Sequence, residues 1–208
     1  MKNAIQQLCR TVAGCTLCHG EDGIRVPKLA VPGKDQRVRL LLLGEQPDRE
    51  ATLGQKPIGL AHDNSLQQLR KYVEHAGLSP DEVLYATAVF CVPRDESRRV
   101  GRPSTEEARN CARHVRRLLE AVQPQLVVTL GHTALLALQH SHREWTDLRQ
   151  FILNYDVGAV LEGHDFAIYP LYFPSESTLR ARGERRQLLD WKRIPSILEA
   201  AERRAAAS

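Results

Sequence analysis

Val38-Arg39-Leu40-Leu41-Leu42-Leu43-Gly44-Glu45-Gln46-Pro47 is an apolar run that halts on a glycine and is followed at once by an acid. A run without alternation marks a strand buried on both faces, as in a parallel sheet. Three further runs have the same character: Val83 to Phe90, Gln125 to Leu130 closed by Gly131, and Phe166 to Tyr172. Helical periodicity separates them. It runs from Ser65 to Ala76, with Gly77 as the stop, and from the capping hydroxyls and early acids of Ser104-Thr105-Glu106-Glu107 to about Val122. A third helix leads from Gly131 through Leu138, and a C-terminal helix closes the chain; the segment up to Cys18 reads as a short helix and a loop. Strands alternating with helices predict an α/β fold, a three-layer αβα sandwich on a mainly parallel four-stranded sheet. Residues 1–208 are expected to form a single domain with a frayed Ala-rich end over about 200–208.

At 208 residues, 42% apolar and 26% charged, the chain suits one sizeable core. It has no stretch apolar enough to cross a membrane, and Met1 to Leu8 is too polar for a signal peptide. A cytoplasmic monomer is the expectation. The net charge of +4 is modest, but arginines gather in two places: Arg94, Arg98, Arg99 and Arg102, and then Arg180, Arg182, Arg185 and Arg186. Such clusters suit a phosphate backbone, although a solvated basic surface has the same composition. Ligands of parallel sheets bind at the carboxyl ends of the strands. That rule selects Gly44 to Asp63, Cys91 to Pro103, Gly131-His132 and Phe173 to Arg182, and both arginine clusters touch these loops.

Cys15 and Cys18 form a C-x-x-C pair, with Cys91 and Cys111 far downstream. Four thiolates can hold a tetrahedral Zn²⁺ or an iron–sulfur cluster. The pair could equally be a redox couple, or all four could be buried and inert. A cytosolic setting makes structural disulfides rare and favours metal. Cys9 reads as a small buried apolar residue.

Taken in order, these segments resemble the uracil-DNA glycosylase superfamily, in particular its iron–sulfur, family 4-like branch. Cys15-Thr16-Leu17-Cys18 looks like the leading cluster pair, and Leu43-Gly44-Glu45-Gln46-Pro47 like the first catalytic motif, G-E-[AQ]-P-G. Ala76-Gly77-Leu78, Asp81-Glu82-Val83 and a strand ending in Cys91 follow the family's central stretch. Cys111 falls four residues after Glu107, Pro124 to Ala134 is similar to "P-x-x-I-V-x-L-G-x-x-A", and Phe173-Pro174-Ser175 stands where the family has H-P-S. The likeness covers roughly residues 9 to 195. It implies a DNA substrate, hydrolysis of an N-glycosidic bond, and a structural [4Fe–4S] cluster on Cys15, Cys18, Cys91 and Cys111, with zinc as the alternative.

The resemblance also assigns site residues, and here the chain departs from the pattern. Glu45, Gln46 and Asp48 fall in the catalytic motif, with Pro47 beside them, and Asp48 replaces the motif's last glycine. Carboxylates there would position water and offset oxocarbenium charge; the plain alternative for Glu45 is an acid capping backbone amides. The uracil-stacking Phe is replaced by Ile58, the base-reading Asn by Ala88 and the motif His by Phe173, while Ala61-His62-Asp63 stands where the family has Ala-Gly, so that His62 and Asp63 could supply replacement polar groups. Ile58 offers no π face and Ala88 no hydrogen bonds. The resemblance makes uracil the default base; the altered pocket implies weak activity on it, a different base such as a modified pyrimidine in foreign DNA, or binding without turnover. Arg98, Arg99 and Arg102 resemble the arginine loop of the crosslinking branch, but its His position holds Gly101, which implies no crosslink. Ser175 and Arg180 are further DNA-contact candidates, and Leu179 is either a duplex wedge or a buried helix-start leucine.

Overall fold

The computed structural model describes residues 1–29, 38–47, 64–93 and 101–207. Its elements are α1 Lys2–Ala13, β1 Leu40–Gly44, α2 Asn64–His75, β2 Val83–Thr87, α3 Thr105–Val122, β3 Leu126–Leu130 and α4 His132–Ser141. Two short helices, α5 Thr146–Gln150 and α6 Leu153–Asp156, lead to β4 Leu161–Glu162 and β5 Ala167–Leu171. Helices α7 Glu176–Arg182, α8 Glu184–Lys192 and α9 Ile194–Ala207 complete the chain.

Among the described residues the sheet has five strands in the order β2-β1-β3-β5-β4, one more than the four expected. The four strands expected from the sequence are all parallel, and the additional β4 pairs antiparallel with β5. With only two residues, β4 carries no periodicity for a sequence to reveal. One C-terminal helix was also expected where three occur. Gly183, at φ +82, ends α7, and Pro195 fits the first turn of α9, where its missing N–H costs nothing. The Ala-rich end continues α9 to Ala207.

Strand β1 explains why the sheet needs two covers. Leu41 and Leu43 pack on one face with Leu84, Val127 and Ile168 beneath α1, α3 and α4. Leu40 and Leu42 face the other way, with Leu126, Val128 and Tyr169 beneath α2, α8 and α9. Each leucine withdrawn from water contributes roughly 1.5–3 kcal/mol, so neither face can be left bare. Beyond the named strands, Ala88 N–H donates to Gly44 O at 2.8 Å and Val89 N–H to Glu45 O at 3.1 Å. The β1–β2 pairing thus extends into the motif that follows β1.

Candidate active site and cysteine lobe

Glu45 leaves the carboxyl end of β1 and reaches under the start of α4. Its Oε1 accepts the backbone N–H of Thr133 at 2.9 Å, one of the donors that a helix's first turn leaves unpaired. Gly131, between β3 and α4, has φ +102, and a Cβ there would stand 2.7 Å from Glu45 Oε1. The glycine is therefore required twice, by its backbone angle and by the carboxylate beside it. The amide-capping alternative for Glu45 is realised in the geometry. It leaves the second oxygen, Oε2, without a hydrogen bond among the described residues.

Gln46 follows, with Oε1 buried and unpartnered among the described residues, and Thr87 Oγ1 at the end of β2 is in the same condition. Buried polar atoms without partners are uncommon. Pro47 is buried. Ala88 is fully buried and belongs to the core beneath α3 and α4. Phe173, half-buried, rests on the opposite core with Leu171 and Leu179. Leu179 is thus packed against that core, on the inner side of α7. Asp48, Ile58, His62 and Asp63 lie outside the described residues.

Of the DNA-contact candidates, Arg98 and Arg99 also lie outside the described residues. Arg102 is exposed just before α3. Arg180 is exposed on α7, with Glu176 at 3.6 Å one turn back. Ser175 caps α7: its Oγ accepts Thr178 N–H at 3.4 Å, while Thr178 Oγ1 accepts Ser175 N–H at 3.1 Å. Arg182 of the same cluster turns inward instead, to Asp190 at 2.7 Å.

The four cysteines draw together around α3. Cys111 is on that helix, packed with Cys91 and Val89. Asn110 Nδ2 donates to Cys18 Sγ at 3.5 Å, and Arg113 donates to Cys15 Sγ at 3.4 Å. Arg25 closes the far side: its guanidinium donates to the carbonyls of Cys15, Gly20, Glu21 and Gly23, and its backbone bridges to Cys91. Burial pushes the Cys91 thiol up to about 11, with Cys18 and Cys15 adding to the effect. Burial likewise pushes Cys111 up to about 12 and raises Cys18. Thiols so placed hold their protons at neutral pH, and a metal would have to displace them. Among the described residues, no three cysteine, histidine or acidic side chains are already arranged to hold a metal ion.

Two other features escaped sequence reasoning. Glu107 was read only as a helix-start acid, yet it also meets His19 Nε2 at 2.8 Å, and the only hint was that His19 follows Cys18. His114 is fully buried beside Phe90, at 6.2 Å between ring centroids, with neither nitrogen partnered among the described residues. Burial, with Arg113 and Arg117 nearby, lowers its pKa to about 4. Nothing in its sequence context announced it.

A doubly covered parallel sheet, a glutamate at its carboxyl pole and a cysteine lobe beside it describe a class of α/β proteins with ligand sites at the strand ends. Residues 32–192 match the model of the Uracil DNA glycosylase superfamily, and the chain belongs to that family. It is 25% identical over 132 residues to a type-4 uracil-DNA glycosylase of Archaeoglobus fulgidus, covering 63% of this chain and 61% of the relative. It is 22% identical over 151 residues to a type-4 uracil-DNA glycosylase of Saccharolobus solfataricus, covering 71% and 66%. The match thus spans somewhat less than two thirds of each relative's length. No helix among the described residues is long and apolar enough to cross a membrane.

Proposed function

We propose that this protein is a DNA glycosylase that hydrolyses the N-glycosidic bond of uracil or another altered base and leaves an abasic site. The observation that carries the reading is the Glu45 carboxylate, fixed at the carboxyl pole of the sheet by Thr133 N–H and given room by Gly131. In the reaction, the bond between C1′ and the base nitrogen breaks and its electron pair leaves with the base. Water adds to C1′, and its proton offsets the charge on the departing base. Glu45 stabilises the cationic sugar through its second oxygen, Oε2, and orients the water. Gln46 Oε1, buried without a partner among the described residues, is a further candidate in the motif for meeting a base or that water. Arg102 and Arg180 hold phosphates.

The cysteine lobe supports a [4Fe–4S] cluster on Cys15, Cys18, Cys91 and Cys111. The same four thiolates would suit zinc as the alternative. When bound, the cluster supplies four iron–thiolate bonds that join the Cys15 loop, the segment after β2 and α3. Hydrogen bonds from Asn110 and Arg113 suit sulfurs that have become anionic.

One observation favours a shifted substrate. Ala88 is sealed within apolar core, so the position that would read uracil has no polar group to offer. A modified pyrimidine, or DNA binding without cleavage, follows from that loss. Oligonucleotides carrying one uracil, hypoxanthine or modified cytosine, treated with cluster-loaded protein and then alkali, separate these readings. Cleavage of one substrate, abolished in Glu45→Gln with DNA affinity retained, supports the enzyme. Salt-sensitive binding with no cleavage of any substrate replaces it with a DNA-binding relative. Metal analysis decides between iron and zinc.

A further inference from the structure

We propose that Glu107 and His19 form a clasp that keeps the iron–sulfur cluster in the protein, both acting as positioning residues outside the four ligands. The inference rests on the cluster reading above and adds a retention device to it. Glu107 is 7% exposed and divides its carboxylate between two tasks. Oε2 accepts Ser104 N–H at 2.7 Å and Ser104 Oγ at 2.9 Å, while Glu107 N–H donates to Ser104 Oγ at 3.1 Å. These bonds complete the capping box of α3 and leave Oε1 over. That oxygen accepts from His19 Nε2 at 2.8 Å, across 88 residues of sequence. His19 is the residue directly after Cys18.

The same helix grips the loop twice more, through Asn110 to Cys18 and Arg113 to Cys15, and it carries Cys111 itself. One helix therefore provides one ligand and holds the loop that provides two others. The bonds from Asn110 and Arg113 end on the sulfurs, so they pull only while the sulfurs are in place. The His19–Glu107 bond ends on neither sulfur and persists when an iron–thiolate bond opens. It would hold the Cys15–Cys18 loop against α3, so that both of the loop's thiolates stay within reach of the cluster. Preorganisation of this kind acts on retention through the lifetime of the open state.

The test is the rate at which loaded protein gives up iron to a ferrous chelator, followed by decay of the visible cluster absorbance. His19→Ala should lose iron at least about fivefold faster, the effect of removing one charge-assisted bond. His19→Gln, whose amide can still donate to Glu107, should return most of the way to the wild-type rate. Ser104→Ala removes the cap but leaves the clasp, and should release iron at close to the wild-type rate despite a lower melting temperature. An unchanged rate in His19→Ala, or equal acceleration in Ser104→Ala, overturns the clasp. Wild-type protein that takes up zinc or no metal overturns the cluster reading itself, and the clasp with it.

Discussion

A single methyl group at position 131 would collide with the Glu45 carboxylate, 2.7 Å away, and would sit on a backbone at φ +102 that L residues rarely adopt. Gly131→Ala is therefore expected to cost roughly 1–3 kcal/mol of stability from backbone strain. It should also lower single-turnover cleavage toward the level of Glu45→Gln, because the carboxylate must move. Urea melts and quenched-flow cleavage measure the two effects, and turnover that survives the substitution removes Glu45's placement from the mechanism. His114 makes a separate prediction. Its pKa falls from the ordinary 6.5 to about 4 in the folded protein, so the unfolded chain binds more protons between those values. The contribution of the neutral ring to stability is full above about pH 6.5 and is lost as pH falls toward 4, by at most ~3 kcal/mol. His114→Leu, which also deletes two buried nitrogens that have no partner among the described residues, should flatten that acid limb of the melting temperature and leave neutral-pH stability equal or higher. A limb of unchanged steepness in the variant would assign the acid sensitivity elsewhere.

Among the elements, helix starts were the most legible. Ser104-Thr105-Glu106-Glu107 announced α3 through the chemistry of its own first turn, and the capping box is present as bonded atoms. The same chemistry at Ser175 went unread as a cap because the resemblance had assigned that residue to DNA. Ser175→Ala is expected to weaken α7 by about 1 kcal/mol, seen as faster amide exchange over Glu176–Arg182. The β4–β5 hairpin was not legible at all. It depends on Gly163, where a Cβ would meet the Trp145 ring and lie 2.8 Å from Phe166 O. Trp145 in turn stands edge-on to Phe166, with 5.9 Å between ring centroids. Gly163→Ala should destabilise by roughly 1–3 kcal/mol in chemical denaturation, since the ring has to leave its place. A neutral result would show that Trp145 is not fixed there.

At the scale of the molecule, the polarity of the sheet gathers the strand-end residues at one pole. Arg102, which precedes α3, and Arg180, on α7, reach solvent from segments far apart in sequence. If both hold phosphates, each alanine substitution should reduce the slope of log K against log salt by about one, nearly independently of sequence. Arg182→Ala should instead lower stability, because it removes the bond to Asp190 that ties α7 to α8. Fluorescence anisotropy over a salt series, beside thermal melts, distinguishes the two behaviours. An Arg182→Ala variant with the larger change in slope would reverse the assignment.

The sequence alone determined whatever depends on neighbours along the chain. The apolar runs marked four strands, Gly77 and the Ser104 cap marked the helix ends beside them, and the order of short motifs pointed to the family. Four cysteines were recognisable as a set because their residue type is rare and reactive. Tertiary structure decided what those residues meet. The partner of Glu45 lies 88 positions away in the chain, as does the partner of His19, and no local period encodes such a distance. The sealing of Ala88, the inward turn of Arg182 and the antiparallel β4 are likewise consequences of packing. A side chain's chemistry is written in its own residue, but its burial and its partners come into being only when distant segments close on one another.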